Sequence, residues 1–426
     1  MLRSWPGRLA RWLIRGFPRR PAAVITTGCL AAALTVAAAL ASPGAGAGPA
    51  TGAQAAAEVQ QAAFPLTKIR HVWVIELENT TFSQSFGRPS ADPELARVLV
   101  SEGALLKDYY GIGHDSLDNY IAEISGQAPN YQTNQDCEYF SKFLQFGGEN
   151  FDKWTKYGQL SGDGCVYPKY VRNIASQLTA HGRSWKSYNQ QMGNDPARDG
   201  TTATAHGPAC GHPKPGTVDQ TDVTGPAHDS YATRHNPFVY FQDIIGSPGY
   251  CDSHVVTLQP LSQDLARASS TPAYSWITPD TCADGHDTPT CQDGAKGGLG
   301  QVDRFLATWV PRIMGSPAYR QGGLIFITFD ESGDDTDAAA CCGERDSLGF
   351  TDPSHPNVNE PGLYGPGGGR VGAVALSPFI KPGTRTGVDY NHYSLLKTVE
   401  KIFGLPLLGD ARQPQVRAFG SDVFTG

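Results

Sequence analysis

The stretch from Leu324 to Asp335 changes from apolar to acidic residues halfway along, and this change limits what the chain can fold into. Residues 324–329 are apolar, β-branched or aromatic, a run typical of a strand buried on both faces. Asp330 and Glu331 follow at once, and further acids stand at 334, 335 and 337. Adjacent carboxylates repel, and burying even one is costly unless a positive group offsets its charge. The pattern predicts a buried strand with a bound cation at its carboxyl end and the later acids in a loop.

The first 41 residues have the order of a secretory signal. Six arginines and no acid precede an Ala-rich apolar run from Ala22 to Leu40, which ends in small residues. An uncleaved membrane anchor is the alternative, because the run is nearly long enough to span a bilayer. Residues 42–63 are rich in Ala, Gly, Pro and Gln, which predicts a flexible tether. Residues 64–426 predict one large domain with long loops.

The charge balance argues against nucleic-acid and membrane partners. The chain has 34 Lys+Arg and 41 Asp+Glu residues, and loss of the six arginines of the signal would leave 28 basic residues and a net charge of −13. A net acidic chain without a basic cluster is a poor candidate for nucleic-acid binding. It also lacks the patch that would attract it to an anionic membrane. We therefore expect no nucleic-acid partner, and no stable membrane insertion once the signal is removed.

Eight cysteines remain after residue 41, an even number that predicts disulfides in an exported chain. Local pairing would join Cys137 to Cys165, Cys210 to Cys251, and Cys282 to Cys291. Cys341 and Cys342 would pair with each other or with distant partners, and metal binding is a further alternative for these two.

Short apolar strands alternate with amphipathic helices along the chain. Strand patterns cover 71–77, 273–278, 323–329 and 370–376, and helical patterns cover 173–180, 299–314 and 393–403. This alternation predicts the α/β class, with a mostly parallel sheet covered on both faces. In such sheets the ligand crevice lies beyond the carboxyl ends of the strands. The polar residues at those ends are therefore candidates for function.

Two sets of metal ligands are predicted at these positions. Glu78, Asn79, Asp330 and Glu331 would form one oxygen-rich site. Asp280, His286 and His392 would form a second site or help to bind substrate. Carboxylate and amide oxygens suit magnesium or calcium, whereas imidazole beside carboxylates suits zinc, iron or manganese. Each residue also has an ordinary structural alternative as a packing or capping residue, and only their joint position at strand ends favours divalent metal ions.

Ser116 stands at the start of a predicted helix. A serine there is usually only an N-cap, yet its hydroxyl also faces the backbone N–H groups that bind phosphate. Beside a metal its oxygen could ionise and attack phosphorus. His114 and Asn119 could donate hydrogen bonds to phosphate oxygens. These residues predict a metal-assisted hydrolase.

Five segments in order resemble a known family. They are ENTTF at 78–82, GHDSLDNYIAEISG at 113–126, ITPDTCADGHD at 277–287, TFDE at 328–331 and NHYSLLKTVEKIFGL at 391–405. They are similar to signature segments of the bacterial and fungal phosphoesterase family, which holds secreted acid phosphatases and phospholipases C. The resemblance runs from about residue 69 to residue 409. It implies an alkaline-phosphatase-like α/β/α sandwich with Ser116 as a metal-bound nucleophile and Asn119 on a phosphoryl oxygen.

The same resemblance implies metal ligation by the first predicted set, and a second metal or phosphate site from Asp280, His286 and His392. The function it implies is hydrolysis of small phosphate monoesters by a secreted, metal-dependent phosphatase. A phospholipase C or other phosphodiesterase, acting on a phospholipid, is the alternative on the same site, and a non-catalytic binding protein is the alternative of another class. Asp115 and Asp118 stand where the family's acid phosphatases usually have proline. Their negative charge beside Ser116 leaves the substrate open.

Overall fold

The computed structural model describes residues 64–145, 157–221, 229–287, 290–334, 337, 339–343 and 367–425. The predicted signal at 1–41 and tether at 42–63 lie outside the described residues, as does Asp335, so the domain boundaries stay predictions. Among the helices of the described ranges, none is long and apolar enough to cross a membrane.

The strands of the described ranges are two to seven residues long. In chain order they are β1 (His71–Leu77), β2 (Ala104–Leu106), β3 (Tyr109–Tyr110), β4 (Leu144–Gln145), β5 (Gly162–Asp163), β6 (Trp185–Asn189), β7 (Thr202–Thr204), β8 (Gly207–Ala209), β9 (Val255–Thr257), β10 (Tyr274–Thr278), β11 (Gly323–Phe329), β12 (Ala373–Leu376), β13 (Thr384–Thr386) and β14 (Tyr390–Asn391).

The α-helices follow the same order. They are α1 (Phe82–Phe86), α2 (Val100–Glu102), α3 (Ser116–Ser125), α4 (Ile174–Ala180), α5 (Pro196–Asp199), α6 (Gln242–Ile245), α7 (Pro248–His254), α8 (Leu261–Asp264), α9 (Leu299–Met314), α10 (Pro317–Arg320) and α11 (His392–Phe403). A π-helical segment, Glu94–Leu99, leads into α2.

One large sheet organises the described residues, in the strand order β13-β2-β12-β11-β1-β10-β6-β9-β8-β7. Its five central strands, β11, β1, β10, β6 and β9, are parallel. Strand β12 is antiparallel to both of its neighbours, and so is β8. The α/β class with a mostly parallel sheet is confirmed.

The middle of the sheet is buried on both faces. Every residue of β10 and β11 is buried, as is all of β1 except its first residue. Successive side chains of a strand point to opposite faces, so both faces must be covered. Helix α9 turns Val302, Leu306, Val310 and Ile313 into the protein at helical spacing. The strands predicted at 71–77 and 323–329 and the helix predicted at 299–314 have the same bounds in the structure.

Four disulfides close parts of the described chain. They are Cys137–Cys165, Cys210–Cys251, Cys282–Cys291 and Cys341–Cys342. The three local pairs agree with the prediction, and the two adjacent cysteines bond to each other instead of to distant partners.

Candidate active site

The neighbouring strands β1 and β11 end together, and this brings the first predicted ligand set to one place. Leu77 pairs with Phe329 in the parallel register. The N–H of Asp330 donates to the carbonyl of Leu77 at 2.9 Å, and the N–H of Asn79 donates to Oδ1 of Asp330 at 2.9 Å. The side-chain amide of Asn79 donates to Oε1 of Glu331 at 2.8 Å. Hydrogen bonds thus join Asn79, Asp330 and Glu331 in one network beside Glu78, and the metal ligation expected of these four residues stays a prediction.

Helix α3 brings Ser116 to this network. The Ser116 hydroxyl donates to Oε2 of Glu78 at 2.6 Å. The residue before it, Asp115, has φ 74° and makes no side-chain cap to the helix. Oδ1 of Asp136, from another loop, accepts the N–H of Leu117 at 2.9 Å instead. The helix start is thus capped from outside, and the Ser116 hydroxyl is available to Glu78.

Glu78 is buried, and hydrogen-bond donors surround it. Besides Ser116, the hydroxyl of Tyr120 donates to its Oε1, and Nε2 of His235 lies 3.3 Å from its Oε2. Burial by itself would raise the pKa of Glu78, but the charge of the nearby His235 and the hydrogen bonds of the two hydroxyls lower that pKa to about 2. Glu78 is therefore an ionised acceptor in this site.

The pKa values of Asp330 and Glu331 are shifted in the opposite direction, upward. Burial, followed by the charges of Glu78 and Glu331, raises the pKa of Asp330 well above its usual range. Burial also raises the pKa of Glu331 to about 8, although the adjacent His114 lowers it. Nδ1 of His114 contacts Oε2 of Glu331, and its Nε2 lies 3.2 Å from the carbonyl of Asp337. Repulsion among these acids is what a bound cation would relieve.

The donor set fits a hard divalent cation. Among the described residues, Asn79 Oδ1, Asp330 Oδ2 and Asp284 Oδ2 are buried oxygens without a hydrogen-bond partner. Oxygen ligands of this kind suit magnesium, calcium or manganese. The carboxylates of Glu78, Asp330 and Glu331 do not all lie within 4.8 Å of one another.

Asn119 and Asp118 point into the protein. The amide of Asn119 donates to the carbonyls of Gly113 and Asp115, and its oxygen accepts two backbone N–H groups of the same loop. These bonds shape the turn before α3 and occupy both of the N–H donors predicted to face phosphate. Burial, helped by the charge of Glu331, raises the pKa of Asp118 well above its usual range. Burial thus favours the protonated form of Asp118, which weakens its repulsion of an anionic substrate.

The structure does not bring the second predicted ligand set together. Asp280 accepts hydrogen bonds from the amide of Gln191 and from the N–H groups of Cys282 and Ala283. His286 is exposed. His392 is fully buried, and its Nδ1 lies 2.8 Å from Oε1 of Glu123. Because α11 turns His392 inward toward α3, the structure does not show Asp280, His286 and His392 as one metal site, and their roles stay predictions.

Sequence reasoning missed three neighbours of Glu78: Asp284, His235 and Tyr120. The carbonyl of Asp284 accepts the N–H of Glu78 at 2.8 Å. His235 stacks on Tyr120 with ring centroids 5.6 Å apart. No periodicity marks these residues as a group, since they come from a turn, a short 3-10 segment and a helix. Only Asp284, inside the DGHD segment, carried a signal that could have been used.

Comparisons with known proteins identify relatives of this chain. The model of the phosphoesterase family matches residues 92–406. A probable acid phosphatase of Kluyveromyces lactis is 23% identical over 356 residues, which cover 83% of this chain and 61% of that protein. The phosphate-repressible acid phosphatase of Penicillium chrysogenum is 26% identical over 339 residues, covering 80% and 59%. The chain thus spans about 60% of the length of these curated relatives.

Among solved structures, a protein of the alkaline phosphatase superfamily from Vibrio parahaemolyticus is 12% identical, with a TM-score of 0.42 over 83% of this chain and 72% of that one. The family model matches well over half of the chain, and Ser116, Asp330 and Glu331 lie inside the matched residues. The chain belongs to the phosphoesterase family.

Proposed function

We propose that this protein hydrolyses phosphate monoesters in a metal-dependent reaction with Ser116 as the nucleophile. The observation that carries the proposal is the position of the Ser116 hydroxyl, at the first residue of α3 and 2.6 Å from Oε2 of Glu78. Asp330, whose Oδ2 has no hydrogen-bond partner, belongs to the same network. The acid phosphatases among its relatives support a monoester as the substrate class.

A divalent cation held by Glu78, Asn79, Asp330 and Glu331 would offset their charge and favour the ionised serine oxygen. Glu78 orients the Ser116 hydroxyl through the hydrogen bond between them, and its pKa of about 2 keeps it an acceptor. His114 holds Glu331 in place from the other side. The N–H groups and the positive dipole end of α3 favour a negatively charged phosphoryl group at Ser116.

In the proposed reaction, Oγ of Ser116 forms a bond to phosphorus as the bond from phosphorus to the leaving oxygen breaks. The serine proton passes to water, and the leaving oxygen takes up a proton from water. A second water then attacks the phosphoserine, which releases inorganic phosphate and restores the hydroxyl. Each step conserves charge and needs no co-reactant besides water.

We also propose that the protein is exported and acts on small phosphorylated molecules outside the cytoplasm. The signal-like order of the first 41 residues supports export. Four disulfides in the described residues also fit an oxidising compartment.

The test compares Ser116→Ala with Ser125→Ala, a control on the same helix whose buried hydroxyl donates only within α3, to the carbonyl of Ile121 at 2.7 Å. Hydrolysis of p-nitrophenyl phosphate, bis-p-nitrophenyl phosphate and phosphatidylcholine is measured with metal content on the same samples. We expect Ser116→Ala to lose monoester turnover about a thousandfold or more while its metal content stays close to that of wild type. We expect Ser125→Ala to retain turnover.

Equal activity in the two variants would show that Ser116 is not the nucleophile. A wild-type preference for either diester would replace the monoester substrate with a phosphodiester. A wild-type protein that binds metal but hydrolyses none of the three would point to a binding protein on this scaffold.

A further inference from the structure

A second group of ionisable side chains, which the proposed reaction does not use, lies inside the protein. Glu76 comes from β1, Glu123 from α3 and His392 from the first position of α11, and each is at most 2% exposed. One potential ligand atom from each lies within 4.8 Å of the other two. No other trio of His, Cys, Asp or Glu in the described part of the chain reaches this spacing.

Two carboxylates enclosed in this way need a positive partner. Both oxygens of Glu76 are buried without a hydrogen-bond donor. Among the described residues, neither Glu76 nor Glu123 forms an ion pair with a lysine or arginine, and Oε1 of Glu123 lies 2.8 Å from Nδ1 of His392. A buried carboxylate without a donor is strongly destabilising unless it is protonated or paired with a cation.

His392 is oriented as a metal ligand. Its Nε2 lies 2.5 Å from the carbonyl oxygen of Asp330, so this nitrogen carries a proton and donates it. The other ring nitrogen, Nδ1, faces Oε1 of Glu123 at 2.8 Å and the hydroxyl of Tyr109 at 3.2 Å. Metal-bound histidines commonly donate their second N–H to a backbone carbonyl, which leaves the first nitrogen's lone pair for the metal.

We propose that Glu76, Glu123 and Nδ1 of His392 form an internal site for one divalent ion of the zinc, manganese or iron class. Two carboxylates neutralise a divalent charge, and one imidazole with two carboxylate oxygens suits these metals better than calcium or magnesium. The ion joins the strand that leads to Glu78, the helix that begins with Ser116 and the start of α11. Its role is structural, and it is separate from the cation of the proposed reaction.

The experiment makes the same substitution at two positions near the end of β1, Glu76→Gln and Glu78→Gln, in the full chain. Each protein is loaded with manganese chloride, dialysed against metal-free buffer and analysed for manganese per chain, with folding checked by circular dichroism. We expect Glu76→Gln and Glu123→Gln each to hold one manganese fewer than wild type. We expect Glu78→Gln to retain the internal ion, whether or not Glu78 binds the cation of the proposed reaction. The proposal of the internal site and the proposed function can therefore fail independently.

Folded Glu76→Gln and Glu123→Gln proteins that bind as much manganese as wild type would overturn the proposal and leave a cluster that shares protons. If these variants do not fold, wild-type crystals grown with manganese chloride decide the question by anomalous scattering. A peak bounded by Glu76, Glu123 and His392 is expected, and the absence of that peak overturns the site.

Discussion

Asp115, the residue before the proposed nucleophile, has a backbone conformation that residues other than glycine rarely adopt. Its φ is 74° and its ψ is 142°, a region in which a Cβ atom clashes with the backbone. Strained residues persist where the surrounding structure over-determines them, and they occur often at functional sites. In this protein the strained turn ends at Ser116.

We expect Asp115→Gly to be more stable than Asp115→Ala by about 1 to 3 kcal/mol, because glycine adopts a positive φ without a steric penalty. Both substitutions remove the carboxylate, so the difference between them isolates the backbone. Denaturant unfolding of the two variants measures it. Equal free energies of unfolding would mean that the turn stores no strain at this residue.

Arg234 is a candidate for holding the substrate phosphate. Its Nε lies 3.5 Å from Oδ2 of Asp136, and its terminal nitrogen lies 3.5 Å from Oδ2 of Asp287. Asp136 caps the helix that begins with Ser116. The guanidinium therefore bridges two loops beside the proposed nucleophile, and a planar fork of N–H donors suits phosphate.

We expect Arg234→Ala to raise KM for p-nitrophenyl phosphate by roughly ten- to a hundredfold, since a hydrogen bond to a charged group contributes roughly 1.5 to 3 kcal/mol. The control is Arg304→Ala, because Arg304 is exposed and pairs with the exposed Asp293. Steady-state kinetics of both variants give the comparison. An unchanged KM in Arg234→Ala would assign this arginine to loop structure alone.

Among the elements, the π-helical segment Glu94–Leu99 is held by two carboxyl groups. Oδ1 of Asp92 accepts the N–H of Leu95 at 2.9 Å, and Oδ1 of Asp303, on α9, accepts the N–H of Glu94 at 2.8 Å. Burial, helped by the charge of Asp303, raises the pKa of Asp92 to about 7. We therefore expect the stability of this junction between elements to depend on pH.

Unfolded Asp92 ionises near pH 4, whereas folded Asp92 keeps its proton up to about pH 7. Its contribution to stability is complete below about pH 4 and is lost as the pH rises to about 7. Asp92→Asn keeps an oxygen for Leu95 but cannot ionise. Between pH 4 and pH 7.5 we expect the free energy of unfolding of Asp92→Asn to fall less than that of wild type. The difference between the two decreases should be on the order of 4 kcal/mol.

The control for this measurement is Asp195→Asn, which changes another helix-capping aspartate, at the start of α5. Urea unfolding of all three proteins at several pH values gives the slopes. If Asp92→Asn follows the pH dependence of wild type, then Asp92 is ionised in the folded protein and the junction does not depend on its proton.

At the scale of the whole molecule, the disulfides close loops of different lengths. Cys210–Cys251 joins residues 41 apart in sequence, whereas Cys341–Cys342 joins neighbours. A cross-link restricts the unfolded chain more as its loop lengthens, and a loop of this length contributes about 4 kcal/mol in the chain-entropy model. The adjacent pair closes almost no loop and should contribute little by this route.

We therefore expect the double substitution Cys210→Ser with Cys251→Ser to lower the free energy of unfolding by about 4 kcal/mol. The matched control is Cys341→Ser with Cys342→Ser, for which we expect a much smaller change. Denaturant unfolding under non-reducing conditions measures both. A comparable loss in the two proteins would show that loop closure does not explain the stabilisation.

The α/β class and the central strands could be predicted from the sequence. The apolar run of β11 and the helical spacing of α9 are local patterns, and burial on a strand or helix face depends on residues close together in the chain. The same patterns located Glu78 and Asp330 at strand ends, and parallel pairing of β1 with β11 then brought them together. The sequence by itself thus determined the class, the main strands and one set of candidate ligands.

Only the tertiary structure decided which of the other polar residues meet. His392 lies against Glu123 because α11 packs on α3, and His235 reaches Glu78 from a short 3-10 segment far along the chain. Neither contact leaves a periodic signal in the sequence. The physical reason is that such contacts depend on strand register, helix rotation and loop path, which are set by packing between segments distant in sequence.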